Sequence, residues 1–220
     1  MPMNIHGTTI NSVLIIDDDA EAREGFGYLI EDMKLKPVYE AGPLYDFSKV
    51  VQELPKKADA LVCDYHLRVR NFAHFDGDQL VADLNSRRFP ALLCTTYNDS
   101  DVTVLRSKRR HIPALLKPDA YSPETFVRGF TRCVLEGKGE FDPSRRPWRT
   151  LVRVEEVDEA RRFFYVVVPG WSADHKIRID FADVPGGMRE HVQPDRRFHA
   201  QVNTGAESAE ELYFFEWEGQ

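Results

Sequence analysis

The stretch Leu14–Arg23, LIIDDDAEAR, runs an apolar segment directly into three consecutive carboxylates. At about 5 Å and an effective dielectric of about 20, each like-charge pair in such a cluster costs on the order of 3 kcal/mol. A counter-charge must therefore meet these aspartates, and the run that follows limits how many of them face it. Ala20–Met33 carries Phe26, Leu29, Ile30 and Met33 at helical spacing. Asp19 then falls in the first turn of this helix, where the dipole favours a carboxylate. Asp17 and Asp18 are left at the carboxyl end of a strand.

Outward from this stretch the pattern repeats. Short apolar runs at Val13–Ile16, Pro37–Tyr39, Ala60–Cys63, Ala91–Thr95 and Ala114–Leu116 read as strands. Helical segments lie between and after them, at Ala20–Met33, Leu44–Leu54, Asp78–Asn85, Asp101–Arg109 and Ser122–Leu135. The last opens with Ser122-Pro123, an N-cap followed by proline at the first helical position. Five βα units with nearly continuous apolar strands predict an α/β fold, a doubly wound five-stranded parallel sheet covered on both faces. Binding sites on such sheets lie at the carboxyl ends of the strands.

Those ends carry Asp17 and Asp18, Asp64, Thr95, and Lys117-Pro118. Carboxylate oxygens converging on one crevice suit Mg²⁺, which takes one or two protein carboxylates with waters and phosphate oxygens. The expected counter-charge is this ion, assisted by Lys117.

The acidic pair, lone aspartate, threonine and Lys-Pro at successive strand ends resemble the receiver domain of bacterial two-component response regulators, over residues 11–137. The resemblance implies a flavodoxin-like fold, with Asp64 accepting a phosphoryl group from a histidine kinase or histidine phosphotransfer protein in an Mg²⁺-dependent reaction. It implies metal ligation by Asp17, Asp18, Asp64 and the backbone carbonyl of His66. Thr95 would sense the phosphoryl group, Lys117 would pair with it, and the Lys117–Pro118 bond is expected to be cis. Such a chain catalyses its own phosphorylation and dephosphorylation rather than turning over a substrate. Two departures stand out. DYHLRVRNFAHFDGD (Asp64–Asp78) delays the family's Asp-Gly, here Asp76-Gly77, and lacks its proline. Ala114 falls where the family carries an aromatic switch residue. The side chains of His66 and His74 read as solvated loop groups.

After residue 137 the pattern changes. EGKGEFDPSRRP (Glu136–Pro147) reads as a linker, giving a receiver at 1–137, a connection at 138–148 and a β-rich domain at 149–220. Thr150–Val157, Phe163–Val168, Lys176–Asp180, Phe198–Val202 and Leu212–Trp217 predict five short strands in a small all-β barrel or sandwich. Its aromatics are expected in the core. From 148 to 220 there are 14 Asp/Glu against 9 Lys/Arg and no recognition-helix pattern, so DNA binding is not expected and a protein partner is. The net charge of -7 points the same way.

Cys63, Cys94 and Cys133 show no metal spacing and read as core. No leader or membrane span is read, and a cytoplasmic location is expected. VTVLRSKRR (Val102–Arg110), on the fourth helix, offers a face for a homodimer. The competing readings are a phosphate sink or relay without direct output, and a haloacid-dehalogenase-like phosphatase. The latter needs DxDx followed by Thr or Val, whereas Asp17-x-Asp19-x is followed by Glu21.

Overall fold

The computed structural model describes residues 2–95 and 101–219, with side chains from Val104 onward in the second stretch. Of VTVLRSKRR, the side chains of Val102 and Thr103 therefore lie outside the described residues. The chain divides into two compact units, Met1–Asn98 with His111–Glu140, and Asp99–Arg110 with Phe141–Gln220.

The first unit begins with a hairpin that the sequence reading did not anticipate, β1 (Met3–Ile5) and β2 (Thr8–Ile10), with Ile5 opposite Thr8. His6 and Gly7 turn it with φ of 47° and 84°, the paired left-handed residues of a tight hairpin. Ile5 and Ile10 are buried in the same core as Val13 and Ile15, which accounts for the alternation in so short a segment. The expected series follows as β3 (Ser12–Ile16), α1 (Ala20–Asp32), β4 (Lys36–Glu40), α2 (Phe47–Glu53), β5 (Ala60–Asp64), α3 (Gly77–Ser86), β6 (Ala91–Cys94), α4 (Asp101–Arg106), β7 (Leu115–Leu116) and α5 (Pro123–Gly137).

The five core strands pair in parallel in the order β4-β3-β5-β6-β7. Counted along the chain this is 2-1-3-4-5, the flavodoxin-like doubly wound arrangement. Val13 to Ile16, Ala60 to Cys63 and Ala91 to Cys94 are fully buried, as strands covered on both faces must be. The order reverses between β3 and β5, so the crevice of the fold opens where Asp17 and Asp64 end those strands.

The second unit is a single five-stranded antiparallel sheet built from β8 (Trp148–Asp158), β9 (Phe163–Val168), β10 (Ser172–Asp180), β11 (Arg197–Val202) and β12 (Phe214–Gly219). The strand order is β10-β9-β8-β11-β12, with a short helix, α6 (Gly186–Arg189), before β11. Val152, Val154, Phe164, Val166, Phe198, Ala200 and Trp217 share its core, so most of the aromatics serve packing. Helix α4 belongs here: Arg106 is buried and its Nη1 donates to the carbonyls of Ala209 (2.7 Å) and Leu212 (3.0 Å). Arg145, within the Gly/Pro-rich segment, is also buried and donates to the carbonyls of Arg109 and Arg110.

Candidate functional site

Asp17 follows β3 directly and is buried, its Oδ1 accepting the N–H of Asp19 at 2.8 Å. Asp64 ends β5, and its Oδ2 accepts the N–H of His66 at 2.8 Å. Asp18 Oδ2 is buried without a hydrogen-bond partner. One oxygen from each of these three carboxylates lies within 4.8 Å of the others. They line an open cavity of about 510 Å³ together with Ala22, Phe26, His66, Val69, Arg70, Pro118 and Tyr121. Three convergent carboxylates, one with a buried oxygen that accepts no hydrogen bond among the described residues, could hold a hard divalent cation.

The electrostatics follow from burial. Asp17 is pushed up to about 6, first by desolvation and then by the neighbouring Asp64, Asp18 and Asp19 charges, against the hydrogen bond from Asp19. Burial also raises Asp64, although backbone donors from His66 and Tyr65 oppose it. Between about pH 4 and 6 the folded chain thus holds a proton on Asp17 that the unfolded chain has released. This group's contribution to stability therefore falls as pH rises through that window. Asp17→Asn keeps the acceptor for the Asp19 N–H and removes the charge. In chelator at pH 7 it is expected to raise Tm by about 2–4 °C, a figure discounted for solvent screening at an open cavity. At pH 4 the gain should vanish. Equal melting shifts at the two pH values would show that desolvation of this carboxylate is not the cause.

Asp19 turns to the helix start as expected, but as the N-cap of α1 rather than within its first turn, accepting from the N–H groups of Glu21 (2.8 Å) and Ala22 (3.1 Å). The sequence reading missed its second partner. Arg70, from the long loop after β5, donates through Nη1 to Asp19 Oδ2 at 2.7 Å and places Nε 3.8 Å from Asp18 Oδ2. The Ala22 N–H, the Arg70 side chain and the Glu21 N–H hold the Asp19 carboxyl below its ordinary range. The counter-charge that the triplet requires is thus in part a guanidinium. The signal was present in Arg68-Val69-Arg70, but only folding assigns Arg68 to Asp76 (3.2 Å) and Arg70 to the cavity. Arg70 and Asn71 sit at φ of 60° and 55°, and the loop is pinned by Leu44 N–H to Phe72 O and Ala73 N–H to Leu67 O.

Gly77 opens α3 beneath the site, donating its N–H to Tyr65 O at 2.8 Å. A Cβ there would lie 1.8 Å from Asp64 O, so the delayed Asp-Gly still serves to let a helix start against the strand end.

Thr95 follows β6 and Lys117 follows β7, on the same carboxyl edge of the sheet, yet neither lines the cavity. Thr95 is buried, its hydroxyl has no hydrogen-bond partner among the described residues, and its N–H donates to Leu116 O. The cis bond expected before Pro118 is not found. Among the described residues the cis peptide is Gly42–Pro43, and Pro118 instead opens a 3₁₀ turn with Lys117 in extended conformation, a turn for which its fixed φ is already suited. Ala114 is buried core. An aromatic reaches the cavity nevertheless: Tyr121, just beyond that turn, has its ring 5.1 Å from Phe26, and burial raises its phenol. All three cysteines are buried, and burial raises Cys63 and Cys94 above the ordinary thiol range, which leaves them inert.

The chain is similar in structure to many response regulator receiver domains, over about 58% of its length, with the C-terminal part unmatched. A receiver domain protein of Clostridium thermocellum is 12% identical at a TM-score of 0.44, covering 59% of this chain and 98% of that one. The receiver domain of a modulated diguanylate cyclase from Desulfovibrio desulfuricans G20 is 18% identical at 0.45, covering 59% and 97%. Chemotaxis response regulator CheY4 of Vibrio cholerae is 20% identical at 0.41, covering 57% and 99%. No protein-family model and no curated protein matches the sequence. Among the described residues no helix is long and apolar enough to cross a membrane.

Proposed function

We propose that this chain is a two-component response regulator: Asp64 accepts a phosphoryl group from the phosphohistidine of a kinase or phosphotransfer protein, and the C-terminal β unit binds a protein partner. The observation that carries this reading is the convergence of Asp17, Asp18 and Asp64 on one cavity at the switch point of a 2-1-3-4-5 sheet. Asp17, Asp18, Asp64 and the carbonyl of His66 would hold Mg²⁺, which when bound supplies charge neutralisation for the phosphoryl oxygens. The His66 N–H fixes the rotamer of the Asp64 carboxylate. An Asp64 oxygen attacks phosphorus, the P–N bond to the donor imidazole breaks, and that nitrogen leaves with the bonding pair and takes a proton. The unpartnered Thr95 hydroxyl is suited to meet the transferred group once a phosphoryl oxygen arrives, and Lys117 would supply further positive charge there. The chain would modify itself and pass on a state rather than turn over a substrate.

The functional modules under this reading are a receiver ending near residue 137 and an interaction unit from about 149, with no role for DNA. Incubation with acetyl phosphate and Mg²⁺ is expected to add one hydroxylamine-labile phosphoryl group, seen by intact mass, and Asp64→Asn should abolish it. Persistent labelling of Asp64→Asn at another residue would refute the site.

A further inference from the structure

Resting on the receiver reading, we infer that Arg70 binds the phosphoryl oxygens at Asp64 and that Asp19 positions it. The guanidinium lines the same cavity as Asp64. Its anchoring uses only one nitrogen: Nη1 donates to Asp19 Oδ2 at 2.7 Å and reaches the Asp18 carbonyl at 3.4 Å. Nε lies 3.8 Å from Asp18 Oδ2, outside hydrogen-bond reach, and among the described residues Nη2 donates to nothing. The Nη2 end of the fork therefore remains available in the cavity that Asp64 lines, while Nη1 is held by Asp19 and Nε faces Asp18. A guanidinium so placed can turn its remaining donors to phosphate oxygens, which arginine recognises bidentately.

The charge balance points the same way. Asp17, Asp18 and Asp64 bring three negative charges, a divalent cation offsets two, and a phosphoryl dianion restores the excess. A further cation is needed at the cavity wall. Arg70 lines that wall. The length of the loop acquires a reason as well. The left-handed pair Arg70-Asn71 turns the chain back, and the Asp19 ion pair fixes the arginine at the cavity mouth. Asp19 thus acts as a helix cap and as the positioning residue for this arginine.

The test separates cation from anion binding on the whole chain. Mn²⁺ affinity is measured alone, and beryllofluoride affinity is measured by fluorine NMR in Mg²⁺. Arg70→Ala is expected to weaken beryllofluoride binding by about tenfold or more, the loss of a charge-assisted bidentate contact, with Mn²⁺ affinity unchanged within about twofold or tighter. Arg70→Lys, which keeps the charge without the fork, should fall between. Asp19→Asn, which retains a competent cap, should weaken beryllofluoride binding severalfold and leave Mn²⁺ binding alone. Equal beryllofluoride affinity in wild type and Arg70→Ala overturns the inference and leaves the receiver reading intact. So does tighter binding of both ligands by Arg70→Ala, which would make Arg70 a competitor, or a parallel loss of both. A wild-type chain that binds Mn²⁺ but no beryllofluoride overturns both readings.

Discussion

Gly77→Ala is expected to destabilise the first unit by about 3 kcal/mol or more, the upper end of what overpacking costs. The added methyl would lie 1.8 Å from Asp64 O and 2.9 Å from Asp64 C, and both are backbone atoms that no rotamer moves aside. The helix cannot back away cheaply either. Its N–H at Gly77 is bonded to Tyr65 O, and Leu80, Val81 and Leu84 are fully buried one and two turns along. Whatever shift occurs falls on the residue we assign as phosphoacceptor, so phosphoryl uptake should drop along with stability. Denaturant unfolding checks the first and labelling from acetyl phosphate the second. A variant within about 0.5 kcal/mol of wild type would show that α3 and β5 are not locked as described.

Asn203→Ala is expected to cost the second unit about 3 kcal/mol. Asn203 is fully buried and saturates its amide: Nδ2 donates to Ser144 O and Glu211 O, each at 3.1 Å, and Oδ1 accepts the Tyr213 N–H at 2.9 Å. Truncation leaves two carbonyls and one N–H without partners, at about 1–3 kcal/mol for each that water does not reach. The Tyr213 hydroxyl donates to Arg145 O, and the Arg145 guanidinium in turn donates to the carbonyls of Arg109 and Arg110. Asn203→Asp preserves the acceptor and loses both donations, so it should be nearly as damaging, which Asn203→Ala alone does not establish. A loss below about 1 kcal/mol in both variants would mean that this network is not holding the unit together.

The α/β pattern was legible because each element carried its own period and punctuation. Continuous apolar strands, Asp19 at a helix start, Ser122 as a cap and Pro123 at a first helical position required no tertiary information. The carboxylate cluster was legible for the same reason, since parallel strands bring their ends together whatever the loops do. The β1–β2 hairpin escaped notice because three-residue strands are too short for their alternation to stand out, although His6-Gly7 is a turn signal. Arg70 escaped for a different reason. Its partner Asp19 is 51 residues away, and the left-handed turn that delivers it sits on Arg70 and Asn71, where no glycine marks the place. The two buried arginines of the second unit were invisible as well. A charged residue gives no sequence sign that its guanidinium will be spent on backbone carbonyls.

Helix α4 has a consequence for how such a chain can be assembled or exchanged over evolutionary time. Along the sequence it lies between β6 and β7 of the parallel sheet, yet its buried Arg106 finds its acceptors at Ala209 and Leu212. A recombination event that cut near residue 140 and joined another output unit would inherit α4 without the carbonyls its arginine meets here. The reverse event would deliver the β sheet without the helix that completes it. The two units are therefore not two successive stretches of sequence, because a segment inside the first is part of the second. Heredity in this protein therefore runs in two interleaved passages rather than two successive ones, and a substitution at position 106 is answerable to residues encoded a hundred codons downstream.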